Sequence, residues 1–216
     1  MDDGRTGGNE VVTEIRIYAE GGGDSKHAKG FLREGFGEFL RELRLMARQR
    51  RVRWHIVTCG SRNAAFSDFR TAQRHHPQAF NVLLLIRRRL TPWAHLQQRD
   101  GWACEGVPDA HCHLMTQAME AWFIADPEQL ATFYGEGFRE NSIPGNPDVE
   151  QIPWDQLTAC LKEATRHTQK GEYHKIHHAG RLLELIDPAK VQGASRHCKR
   201  LFTTLQSKME GESANG

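Results

Sequence analysis

Two acids bracket three glycines near the start of the chain: Glu20 ends the run IRIYAE, and Asp24 follows Gly21-Gly22-Gly23. Three glycines let the backbone turn tightly and approach a phosphate or a metal closely. Carboxylates so placed suit Mg2+, with Mn2+ as a substitute, because Mg2+ takes one or two carboxylates and completes its shell with water and substrate phosphate. A metal held this way activates water and stabilises phosphoryl charge. The same five residues also read as a tight turn with solvated acids. The triplet is not a Walker A loop, since no Gly-Lys-Ser/Thr closes it. Nor is it a dinucleotide fingerprint, because Lys26 stands where the third glycine is required. The apolar run 81–86 ends differently, in Arg87, Arg88 and Arg89. Guanidiniums there pair with a carboxylate or bind phosphate directly. Lys26, Arg62, Arg87, Arg89 and Lys175 form the candidate phosphate or nucleic-acid contacts.

Histidine offers a second chemistry. His174, His177 and His178 fall at three- and four-residue spacing, which a helix gathers on one side, but no glutamate completes an HExxH motif. His111, Cys112, His113, His197 and Cys198 are further donors without the spacing of a structural zinc site. Surface and helix-capping roles account for these histidines. No G-x-S-x-G occurs, so nothing supports a serine triad. Glu120 lies in an apolar stretch, at the edge of a site or on the surface. Lys175, in Tyr173-His174-Lys175, is a lone cation able to meet phosphate or transition-state charge; equally, it is an ordinary lysine at a helix start.

These residues need elements to position them. Residues 12–19 alternate and are β-branched, predicting a strand. Phe36, Phe39, Leu40, Leu43 and Met46 predict a helix. Residues 53–59 predict a second strand closed by Gly60, and Ser61 or Asn63 caps a helix carrying Phe66, Phe69 and Ala72. The run 81–86 is apolar throughout, as in a strand buried on both faces. Strand, helix, strand, helix, strand implies right-handed crossovers and a parallel sheet, with ligands at the carboxyl ends of the strands. Glu20, the Cys59-Gly60-Ser61 turn and Arg87 all fall there. Residues 113–125 predict a helix, broken at Asp126-Pro127 or restarted there with Asp126 as cap. Further helices are predicted at about 154–167, 175–186 and 194–208. The expected organisation is a tail at 1–10, an α/β core at 11–130, a helical C-terminal part at 131–208 packed on it, and a tail at 209–216.

The 216 residues carry a net charge of +2, so distribution matters more than balance. Arg41, Arg44, Arg48, Arg50, Arg51 and Arg53 crowd one segment, and Arg196, Lys199, Arg200 and Lys208 another. Such clusters suit phosphate backbones or form solvated helix faces. Five widely spaced cysteines, without CxxC, fit a reducing compartment rather than a disulfide framework. No apolar run approaches the roughly 20 residues of a membrane helix. The N-terminus is not a signal peptide, and the expected location is cytoplasmic.

Four blocks together, IYAEGGGDSK (17–26), VTCGSRNAAFSDF (57–69), HLMTQAMEAWFIADPEQL (113–130) and EYHKIHHAGRLLELIDP (172–188), resemble the bacterial DUF4276 family over about residues 13–205. That family is regarded as Toprim-like. The resemblance implies a Toprim-like parallel-sheet core distantly similar to OLD-type nucleases. It also implies an ABC-type ATPase partner encoded nearby and a role in antiviral defence. Glu20 and Asp24 match the Glu-x-x-x-Asp of the OLD-type pattern, and Glu120 and Lys175 correspond to its later acid and lysine. The pattern then requires an acidic pair after the third strand, where this chain has Arg87, Arg88 and Arg89. Two guanidiniums in place of two carboxylates change the local charge by about four units, which disfavours a two-metal site. Two functions follow. The first is an Mg2+-dependent nuclease cleaving DNA or RNA phosphodiesters, with Glu20, Glu120 and Lys175 catalytic and Glu20 and Asp24 on the metal. The second is a catalytically degenerate domain that binds nucleic acid or docks on and regulates the ATPase, a weaker variant being a phosphate-binding regulator of that ATPase.

Overall fold

The computed structural model describes residues 12–87, 93, 96–97, 101–102 and 106–211. Arg88, Arg89, the tail expected at 1–10 and residues 212–216 of the tail expected at 209–216 lie outside them. Four strands, β1 (Glu14–Glu20), β2 (Arg53–Gly60), β3 (Phe80–Arg87) and β4 (Cys112–Thr116), form a parallel sheet in the order β2-β1-β3-β4. The chain steps from β1 outward to β2, then returns to place β3 on the other side of β1. The crevice at the carboxyl ends of β1 and β3 is therefore the topological switch point, where ligands of open α/β sheets bind.

Side chains alternate across the sheet with the two-residue period of a strand. Ile15, Ile17, Ala19, Val82 and Leu84 face the larger core. Tyr18, Leu83 and Leu85 face the smaller one, built on α3 (Arg62–His75) through Ala65, Phe66 and Phe69. The larger core is closed by α1 (Lys26–Phe39), α2 (Arg41–Gln49) and the C-terminal helices: α4 (Met119–Ile124), α5 (Pro127–Tyr134), α6 (Trp154–Thr165), α7 (Lys175–Leu185), α8 (Pro188–Ala194) and α9 (Arg196–Glu210). At its centre Phe39 stacks on Trp122 at 5.0 Å and meets Phe202 edge-on at 5.7 Å. Burying each such ring contributes about 1.5–3 kcal/mol. Residues after 130 thus share one core with the sheet.

Caps fix the helix starts. Ser25 and Ser61 accept hydrogen bonds from Ala28 N–H (3.1 Å) and Ala64 N–H (3.2 Å), opening α1 and α3. Asp126 caps α5, with Pro127 in its first turn, and its carboxylate also accepts from Asp187 N–H (2.9 Å) and Lys190 Nζ (2.8 Å), tying α5 to α8. The tightest helix contact joins α1 to α7. A Cβ on Gly35 would stand 2.4 Å from the Gly180 carbonyl oxygen, so the two backbones touch where no side chain fits.

Three expectations are corrected. Residues 113–125 are not one helix: 112–116 form β4, every residue of it buried, and α4 starts only at Met119. A short strand buried on both faces carries no alternation, and Leu114, Met115, Ala118, Met119 and Trp122 mimic helical spacing across the junction. The pattern from Phe36 to Met46 belongs to two helices that part at Leu40. The last helix runs to Glu210, where Gly211 takes the left-handed conformation that ends it. Among the described residues no helix is long and apolar enough to cross a membrane.

Candidate functional site

The glycine loop is closed by pairing rather than left open. Gly21 N–H donates to Gly60 O (2.8 Å) and Gly60 N–H to Gly21 O (3.0 Å), so the ends of β1 and β2 are stitched together. Gly21, Gly22, Gly23 and Gly60 all have φ between +60° and +128°, a region that side chains disfavour. The triplet is therefore required by geometry, whatever it binds.

Glu20 sits at the switch point. Its Oε2 accepts from Ile86 N–H at 2.9 Å, just past Ala19 and Leu84, the last paired residues of β1 and β3. The Arg62 guanidinium lies 3.9 Å from that oxygen and donates to Ile86 O at 3.2 Å. Arg62 in turn lies over Trp102, 5.1 Å from the ring centre, and Trp102 stacks on Phe66 at 4.0 Å. Arg62, expected as a phosphate contact, is thus also the partner of Glu20, held by an aromatic platform. Asp24 and Lys26 are exposed on either side of the Ser25 cap. Arg87 ends β3.

Metal fit at this point is poor. The carboxylate of Glu20 already bonds a backbone amide and faces a guanidinium. A unit charge about 4 Å away is worth about 4 kcal/mol at an effective dielectric of 20, and a divalent ion doubles the repulsion from Arg62. Among the described residues no three His, Cys, Asp or Glu side chains gather to hold a metal ion. His111, His113 and His197 come near enough for His113 to feel the charge of the other two. However, His113 Nε2 donates to Ala110 O (2.9 Å) and Nδ1 accepts from Arg200 (3.4 Å). Both ring nitrogens are occupied, and burial with the Arg200 charge pushes its pKa down to about 3.

The second half of the site lies across the glycine loop. Gly22, Met119, Lys175 and Ile176 line one cleft, and a Cβ on Gly23 would meet Ile176 at 3.2 Å. Behind Met119, Glu120 is almost fully buried. Its Oε1 accepts from Tyr173 O–H at 3.1 Å and lies 3.5 Å from Lys175 Nζ, whereas its buried Oε2 has no hydrogen-bond partner among the described residues. Burial, then the neighbouring Glu120 charge, raises the Tyr173 pKa, so the phenol stays protonated and donates. Glu120, Trp154, Thr158, Lys162 and Lys175 border a cavity of about 350 Å3. Glu120 and Lys175, named separately as candidates, stand together, while Tyr173, which no motif marks, supplies the hydrogen bond that orients Glu120. The His174 and His177 rings lie 4.4 Å apart, tilted by 32°, beside the start of α7, and His178 accepts from His174 N–H (3.2 Å) as a local cap.

A parallel α/β sheet with polar groups converging at its switch point defines the class. The chain belongs to the DUF4276 family: the family model described as Domain of unknown function (DUF4276) matches residues 19–206. No curated protein and no solved structure matches the chain.

Proposed function

We propose that this chain is a catalytically degenerate Toprim-like domain that binds nucleic-acid phosphates at the carboxyl ends of its strands and acts beside an ABC-type ATPase in a bacterial defence module. The observation that carries the reading is the Arg62–Glu20 pair. It places a guanidinium where a metal would have to sit, in a chain whose third strand ends in arginines. Phosphodiester is the anion that such a surface recognises. The Toprim and ATPase elements rest on the family resemblance. The purified protein, alone and with the ATPase encoded beside it, should bind DNA or RNA in a salt-dependent manner without cutting it in Mg2+ or Mn2+. Failure to bind either nucleic acid at low salt in both settings would overturn the proposal.

Metal-dependent cleavage is the second reading, favoured by Lys175, which lines a cleft with Gly22 and pairs with Glu120, on a glycine loop flanked by Glu20 and Asp24. Cleavage that Glu20→Ala abolishes would displace the first reading. Cleavage that survives Glu20→Ala would overturn the Glu20 site and point to a contaminant.

A further inference from the structure

We infer that Lys29 is a phosphate-contacting residue of the strand-end site. The inference rests on the nucleic-acid-binding reading above and goes beyond it by naming a contact that no motif marks.

Lys29 lies in the first turns of α1, and three neighbours fix it. Its carbonyl accepts from Thr58 Oγ1 at 2.7 Å, tying α1 to β2. Gly22 packs on its backbone: a Cβ there would stand 3.0 Å from Lys29 Cα. Its side chain then runs across Gly60, where a Cβ would stand 2.9 Å from Lys29 Cε and 3.2 Å from Nζ. The lysine stem fills the space that a side chain at position 60 would take. This puts the ammonium over the carboxyl end of β2, whose Gly60 is in register with Glu20 of β1.

Arg62, close by, is compensated by Glu20. Lys29 is not: among the described residues its ammonium has neither an ion pair nor a hydrogen bond. Its charge is nonetheless felt by the Cys59 thiol at the same strand end. Most unpaired lysines are solvated ends of mobile stems. Here the stem is half-buried and boxed in, so much of its rotamer entropy is lost before any ligand arrives. An ammonium with three donors, held at the ligand-binding edge of a parallel sheet, meets a phosphodiester as a point charge and reads no base.

The test is fluorescence anisotropy of labelled thymine-homopolymer DNA and of mixed-sequence duplex across a KCl titration. Wild type is compared with Lys29→Met, which keeps the stem over Gly60, and with Lys29→Gln and Lys29→Arg; thermal melting checks that each variant folds. The neutral variants should lower the slope of log affinity against log salt by about one, alike on both nucleic acids, and Lys29→Arg should restore it. Wild-type slopes in folded Lys29→Met or Lys29→Gln, with wild-type binding intact, overturn the inference and leave the binding proposal standing. No binding by wild type removes both.

Discussion

Glu120 and Glu150 are both carboxylates sealed from solvent, at 3% and 4% exposure, yet their surroundings differ. Glu150 is fully employed. Its Oε1 accepts from Ser195 Oγ (2.6 Å) and His197 N–H (2.9 Å), its Oε2 from His197 Nδ1 (2.7 Å), and Arg196 Nε lies 3.3 Å away. It thereby anchors the start of α9 to the loop before α6. Glu120 has one oxygen engaged by Tyr173 and Lys175 and the other unpartnered, on the border of a cavity. A buried charge is retained at a cost of several kcal/mol unless its oxygens are satisfied. Glu150 meets that condition and reads as architecture. Glu120 does not meet it among the described residues, which sets it apart from Glu150.

The comparison breaks most readily at Glu150. Glu150→Ala should cost about 3–5 kcal/mol of unfolding free energy in urea titrations, as one side of a buried ion-pair network is removed. A loss near zero would end its role as anchor. Tyr173→Phe comes next: removing a hydrogen bond to a buried carboxylate should cost about 1.5–3 kcal/mol by the same measurement. No change would mean that the Tyr173 contact does not orient Glu120.

Acid should act through the Glu150 side. Burial raises the Glu150 pKa, but hydrogen bonds from His197 and Ser195 and the His197 charge outweigh it and hold the group below its ordinary value. Its stabilisation is therefore present above the ordinary glutamate range and is lost as pH falls through the folded value. His113 adds an earlier limb. The unfolded chain takes up its proton near 6.5 while the folded chain resists until about 3. Stability should fall by about 1.4 kcal/mol per pH unit across that window. Melting temperature against pH should show this slope in wild type and lose it in His113→Phe. The smallest effect is expected at Glu120. Glu120→Gln should stay within about 1 kcal/mol of wild type, because half the carboxylate is unsatisfied already. A loss as large as that of Glu150→Ala would make Glu120 a second anchor and erase the distinction.

How far each region can be read from sequence follows the same divide. The strand ends were legible: Glu20, Gly60, Ser61 and Arg87 follow from periodicity and the parallel-sheet rule, and Ser61 caps α3 as its residue type predicts. Glu120 and Lys175 stand out only through a family pattern, which says nothing of the 3.5 Å between them. Residues that act through distant partners carried no local signal. Glu150 and Ser195 lie 45 residues apart, and Tyr173 and Glu120 lie 53 apart. Arg62 was legible as a cation but not as the partner of Glu20, since its position depends on stacking against Trp102. β4 escaped because complete burial leaves a strand no polar face to betray its period.

The Gly35–Gly180 contact sets a distance. α1 begins just after the glycine loop and α7 begins at Lys175, and at Gly35 and Gly180 the two helices meet backbone to backbone, with the Phe31 ring packed beside Gly180. The spacing of the two helices at this point is therefore set by main-chain geometry. A side chain introduced at either glycine would act as a wedge, shifting the start of α7 against the glycine loop.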